Sequence, residues 1–169
     1  MKKKLKGITA SLPATACLLA IITACESTDC PINNVVYSTY GFYAAGEDGA
    51  VAISVLDTLT VTAAGTDSIL VNRLQNGSGV ELPVSYSSPT DTLILQFTDT
   101  LRRRREDTIW IDKQNIPHYE SPDCPASMFH YVTGVRWTSR LIDSVTVTNP
   151  NINYNVSENF RIYFRSDNR

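Results

Sequence analysis

Few side chains in this 169-residue chain have types and spacings suited to chemistry. His118, Cys124 and His130 are evenly spaced by six positions, and Cys30 repeats the Asp-Cys-Pro setting of Cys124. Zinc would accept such a set. No pair, however, shows the close CxxC or HxxxH spacing that makes a metal assignment specific. His118 follows Pro117 beside Tyr119, and His130 sits in the apolar run Met128-Phe-His-Tyr-Val132. Packed or hydrogen-bonded imidazoles are therefore expected, and no metal or other cofactor. The chain has no GxSxG, no HExxH, no phosphate-cradling glycine loop and no EF-hand pattern. Its acids are scattered, and the chain reads as a non-enzyme. A small envelope hydrolase or metalloprotein around His118 and His130 is the lesser alternative.

Cys25 has a different setting. Four lysines among the first six residues precede an uncharged apolar or small stretch from Ala14 to Ala24. That is the length of a signal h-region and too short to span a bilayer. Ile22-Thr23-Ala24-Cys25 resembles the bacterial lipoprotein box, in which the cysteine thiol receives a diacylglycerol and the new amine is acylated. Cys17 is a rival, but cleavage there leaves almost no apolar run. The expected organisation is a signal peptide over 1–24, a lipidated Cys25 with a short tether over 25–33, and one domain over 34–169. By resemblance to bacterial sorting signals, Glu26 after the cysteine favours the outer membrane; whether the domain faces periplasm or exterior stays open. With Cys17 removed and Cys25 acylated, Cys30 and Cys124 are left, and in an exported chain a disulfide is the simplest pairing. It closes a loop of nearly a hundred residues, about 4–5 kcal/mol on the chain-entropy model. Losing Lys2, Lys3, Lys4 and Lys6 leaves 11 Lys and Arg against 17 Asp and Glu, a formal −6. Nothing in that balance favours nucleic acid.

Three surface motifs remain. Arg102, Arg103, Arg104 and Arg105 lie between a strand ending near Thr100 and one expected from Asp107. On a hairpin tip they would splay to both sides and could hold phosphate or a lipid head group. Tyr37-Ser-Thr-Tyr-Gly-Phe-Tyr43 places Tyr40 and Phe42 opposite Tyr37 and Tyr43. A strand buried between two layers is the first reading, and an aromatic contact face the second. Asp, then Ser or Thr, then an aliphatic residue occurs six times, with its hydroxyls at Thr58, Ser68, Thr92, Thr100, Thr108 and Ser144. Strand-start grammar explains much of this. The tripeptide also resembles the acceptor motif for protein O-glycosylation in Bacteroidota, and one or two exposed sites are expected to carry glycan.

The elements that must position these groups read as short strands. No apolar stripe at helical spacing lasts three turns after Asn34. Leu59, Val61 and Ala63 alternate with threonines, Leu93, Leu95 and Phe97 alternate likewise, and Ile109 and Ile111 flank Trp110. Val145–Thr148 and Phe160–Phe164 close the chain around an asparagine-rich loop. Six to nine such strands predict an all-β, immunoglobulin-like sandwich, with a small closed barrel as the alternative.

Several stretches together resemble small Bacteroidota lipoproteins of a domain-of-unknown-function family, number 6452. They are Tyr40-Gly-Phe-Tyr43, Asp57-Thr-Leu-Thr-Val61 with Asp67-Ser-Ile-Leu70, Ser121-Pro-Asp-Cys124 leading to Met128-Phe-His130, and the closing Ile142-Asp-Ser-Val145, Asn149-Pro150 and Glu158-Asn159. The resemblance implies a lipid-anchored β domain and brings no activity; the arginine run departs from it. The favoured expectation is a non-catalytic accessory or binding module at the outer membrane. Its partner would be the membrane through the anchor and an envelope protein such as a β-barrel, met by Tyr37, Tyr43, Trp110 and Trp137. A module for glycan or anionic lipid, using aromatics and the four arginines, is the alternative.

Overall fold

The computed structural model describes residues 30, 35–46, 49–52, 58–66 and 68–165. The expected signal segment 1–24 and the lipidation site Cys25 lie outside these residues. Eleven strands occur among them: β1 (Tyr37–Gly46), β2 (Gly49–Ala52), β3 (Thr58–Ala63), β4 (Ile69–Leu74), β5 (Gly79–Pro83), β6 (Thr90–Thr98), β7 (Arg104–His118), β8 (Ser127–Trp137), β9 (Ile142–Val147), β10 (Asn151–Ile152) and β11 (Glu158–Phe164). They form two sheets. The first runs β2-β1-β11-β9 with β5 also on β1, and the second runs β10-β8-β7-β6-β3-β4. Every pairing is antiparallel except that of β1 with β11, which joins the two ends of the domain in parallel.

The alternation in the sequence decides which face each strand buries. Leu93, Leu95 and Phe97 on β6 and Ile109 and Ile111 on β7 point into the core. They meet Tyr40 and Phe42 of β1 and Phe160 and Ile162 of β11 in one apolar cluster. Tyr40 stacks on Phe160 at 4.8 Å, while Phe164 meets Phe42 of its own sheet and Phe97 of the other edge-on. The two sheets thus pack face to face. The first reading of the 37–43 segment is corrected here: β1 buries Ser38, Tyr40 and Phe42 but leaves Tyr37 52% exposed on its outer face. It is a one-faced strand because only one sheet lies against it.

At about 3.3 Å per residue, the 15 residues of β7 run about 45 Å and define two poles. At one lies the turn carrying the arginines, with the crossover from β8 to β9. At the other, past His118, lie Cys124, the 84–89 loop and the asparagine-rich loop before β11. Cys30 and Cys124 are bonded there, their Cα atoms 5.4 Å apart.

Candidate functional site

The most elaborate polar cluster on an outer face belongs to the first sheet. Tyr43 faces outward on β1, and Arg161 and Tyr163 face outward on its parallel neighbour β11. A bulge opposite Thr39 and Tyr40 sets Glu158 on the same face and turns Asn159 inward. The Asn159 side chain accepts from the Thr39 amide at 3.0 Å and donates to the Asn149 and Asn151 carbonyls, which locks the bulge. Gly41 makes room: a Cβ there would lie 2.1 Å from Glu158 Oε2 and 2.7 Å from the Tyr43 ring. The Tyr43 hydroxyl donates to Glu158 Oε2 at 2.6 Å, and Arg161 Nε donates to Glu158 Oε1 at 2.6 Å. The guanidinium lies 5.0 Å over the Tyr43 ring, and Tyr163 is 5.6 Å from Tyr43.

These contacts fix the charge states. The bond to Glu158 pushes the Tyr43 hydroxyl up. Partial burial pushes the Glu158 carboxyl up, but the bonds from Tyr43 and Arg161 outweigh it and the net shift is downward. Arg161 is raised, chiefly by its bond to Glu158. A neutral phenol, a carboxylate and a guanidinium side by side make a platform for stacking and hydrogen bonding, such as a sugar ring or a peptide would use.

The expected contact aromatics do not gather into one patch. Tyr37 and Tyr43 share the outer face of the first sheet. Trp110 lies on the outer face of the second, with the Arg136 guanidinium 5.6 Å from its ring. Trp137 pairs with buried Ile109, packs against the core, and its indole donates to the Asp143 carbonyl at 3.2 Å.

The arginine run is also divided. β7 begins at Arg104 rather than Asp107, because Arg104 and Arg105 pair with Thr98 and Phe97 on β6. The turn is Asp99–Arg103, with Arg102 in the left-handed region at φ 63°. Asp99 caps it, accepting from the Arg103 amide at 2.8 Å and from Arg103 Nε at 2.6 Å; the amide bond is the main cause of its lowered pKa. Arg105 is half-buried and engaged. Arg102 and Arg103 thus lie on the turn, and Arg104 and Arg105 take the first two positions of β7.

The histidines part company as well. His118 pairs with Ser127 and His130 with Asn115, so strand parity sends them to opposite faces of the second sheet. His118 stacks on Phe129 at 4.3 Å under the edge of Tyr154, whose hydroxyl bonds Ser127. His130 is buried, with Nδ1 2.8 Å from Asn115 Oδ1. Both Asn115 amide hydrogens go to the Tyr86 and Ser88 carbonyls, so Oδ1 accepts and His130 carries its proton on Nδ1. Burial, then nearby Lys113, hold the His130 pKa down to about 4. With Cys30 and Cys124 bonded and the imidazoles on opposite faces, the set considered for zinc has no common centre. Among the described residues, no group of three His, Cys, Asp or Glu could hold a metal.

A family model described as "Family of unknown function (DUF6452)" matches residues 58–164. The chain belongs to this family. No curated protein and no solved structure matches it. The DUF6452 match runs from β3 to β11. It takes in Cys124, both histidines, Glu158 and Arg161, and begins after Cys30, Tyr37 and Tyr43. Of the trio, Glu158 and Arg161 lie within the DUF6452 match, and Tyr43 comes from the strand before it.

The sequence reading missed the buried charges of the DUF6452 region. Asp107 is 1% exposed and accepts from Thr138 Oγ1 at 2.5 Å and from the amides of Arg140, Leu141 and Ile142 at 2.9, 2.7 and 3.0 Å. It clamps the crossover from β8 in one sheet to β9 in the other. The Lys113 side chain is fully buried, donating to the Ser88 carbonyl at 2.6 Å and lying 3.2 Å from Asp91 Oδ1, which ties the 84–89 loop to β7. The signal was there: Asp107 and Lys113 share the inward parity of Ile109 and Ile111, so charges bracket an apolar stripe. Of the six tripeptide hydroxyls, those of Ser68 and Thr100 are on exposed residues. Thr58, Thr92, Thr108 and Ser144 are half-buried in strands, and Thr58 Oγ1 bonds the Thr98 carbonyl.

Proposed function

We propose that the chain is a lipid-anchored protein of the cell envelope, held at the outer membrane through Cys25. It serves there as a non-catalytic accessory that binds another envelope protein. The observation that carries this reading is the Cys30–Cys124 bond. Structural disulfides belong to oxidising compartments, and this one stands five residues behind a cysteine in a lipoprotein-box setting. The outer face bearing Tyr37 and Tyr43 is the contact surface, with an outer-membrane β-barrel as the kind of partner. Intact mass spectrometry of the protein extracted from membranes tests the anchor. The expected mass is that of a chain starting at an acylated, diacylglyceryl Cys25 with one disulfide; an unmodified Cys25 overturns it. Crosslinking in intact envelopes should then capture a partner through Tyr43 and lose it in Y43A.

A second reading, glycan binding, is favoured by the Tyr43–Arg161–Glu158 platform. Glycan-array binding lost by more than about tenfold in R161A would support it. If the tripeptides are used as acceptors, glycan should map to Ser68 and Thr100.

A further inference from the structure

We propose that the disulfide pole is a membrane-seating surface, on which Tyr86, Tyr119, Tyr154 and Val156 rest in the interface of the bilayer that carries the Cys25 lipid. The inference rests on the lipidation reading above and adds an orientation to it. Covalent reach supplies the occupant. Cys30 is five positions after Cys25, so at about 3.3–3.6 Å per residue the acylated cysteine lies within about 18 Å of the disulfide. The bond to Cys124 then keeps this pole within that reach of the lipid surface.

The side chains there suit that neighbour. Tyr86, Tyr119 and Val156 are 68, 64 and 75% exposed, and Tyr154 is exposed as well. They sit on three segments at the His118 end of β7: residues 84–89, tied to Asn115, 119–126, which holds Cys124, and 149–157, tied to Ser127 through Tyr154. Tyrosine, with an apolar ring and a polar tip, favours the head-group level of a bilayer. These loops contain Glu120 and Asp123 but no Lys or Arg, so the seat has nothing to attract anionic head groups. Zwitterionic lipid is the ligand chemistry. Among the described residues of the far turn, Leu101 is exposed and set among arginines.

The test places the full lipidated protein in phosphatidylcholine nanodiscs doped with a nitroxide-bearing lipid and reads amide broadening by NMR. Amides of 84–88, 119–124 and 153–157 should broaden while those of 99–103 stay sharp. Replacing half the lipid with phosphatidylglycerol should not strengthen the effect. Y119S/V156S, which removes two exposed side chains, should lower occupancy of the seated state about tenfold. Uniform broadening, or broadening at 99–103, overturns the proposal. So do concentration-dependent shifts of the same loops in lipid-free C25S protein, which would make a second copy the occupant. Intact mass of the same sample separates the two readings. An unacylated Cys25 removes the anchor and the seat together, whereas an acylated protein with uniform broadening removes the seat alone.

Discussion

The two ends of β7 solve the same problem by different means. At the disulfide pole an irregular segment is fastened to the domain by a covalent bond between Cys30 and Cys124. At the arginine pole the β8–β9 crossover is fastened by one buried carboxylate, Asp107, with four donors around it. The first fastening lies beside the proposed tether and needs an oxidising compartment to persist. The second is indifferent to reductant and depends on a single side chain. Exposed tyrosines crowd the first pole and charges the second. On the proposed anchoring through Cys25, the tether and the crossover are fastened at opposite ends, and the Tyr43 face lies between them.

Reducing the disulfide, or the C30S/C124S pair, should lower stability in urea by about 4–5 kcal/mol, since a loop of 94 residues is released in the unfolded chain. D107A should cost about 3 kcal/mol at any redox state, because two buried amides, a part-buried one and a hydroxyl lose their acceptor; the two losses should add, the sites being at opposite poles. A smaller effect tracks pH. The unfolded chain protonates His130 near 6.5, whereas the folded chain resists until about 4. Stability should thus fall by about 2 kcal/mol between pH 6.5 and 5, above the range where Asp112 and Glu158, both lowered, begin to protonate. In H130L that slope should flatten in equilibrium urea melts. R103A should scarcely move the melting temperature, its partner ion pair being at the surface.

Much of this was legible in the residues. Alternation on β3, β6 and β7 gave the strands and their buried faces, and counting cysteines gave the bridge. Strand order was not, because period-2 segments of similar composition can pair in many ways; β1 beside β11 joins residues over a hundred positions apart. The four arginines looked like one tip since nothing local shows that β7 starts at Arg104. The Tyr43–Glu158–Arg161 platform was missed for a related reason: its members meet only through the parallel pairing and the bulge at Asn159. Asp107 could have been found, had its parity with Ile109 been weighed above its tripeptide.

The central claim is that the domain is held by one pole. Energy transfer to an acceptor head group, from dyes on unnatural amino acids at positions 101 and 156 of the lipidated protein, measures it most directly. The account predicts strong transfer from 156 and weak transfer from 101, about 45 Å farther along β7. Equal transfer from both positions would contradict it.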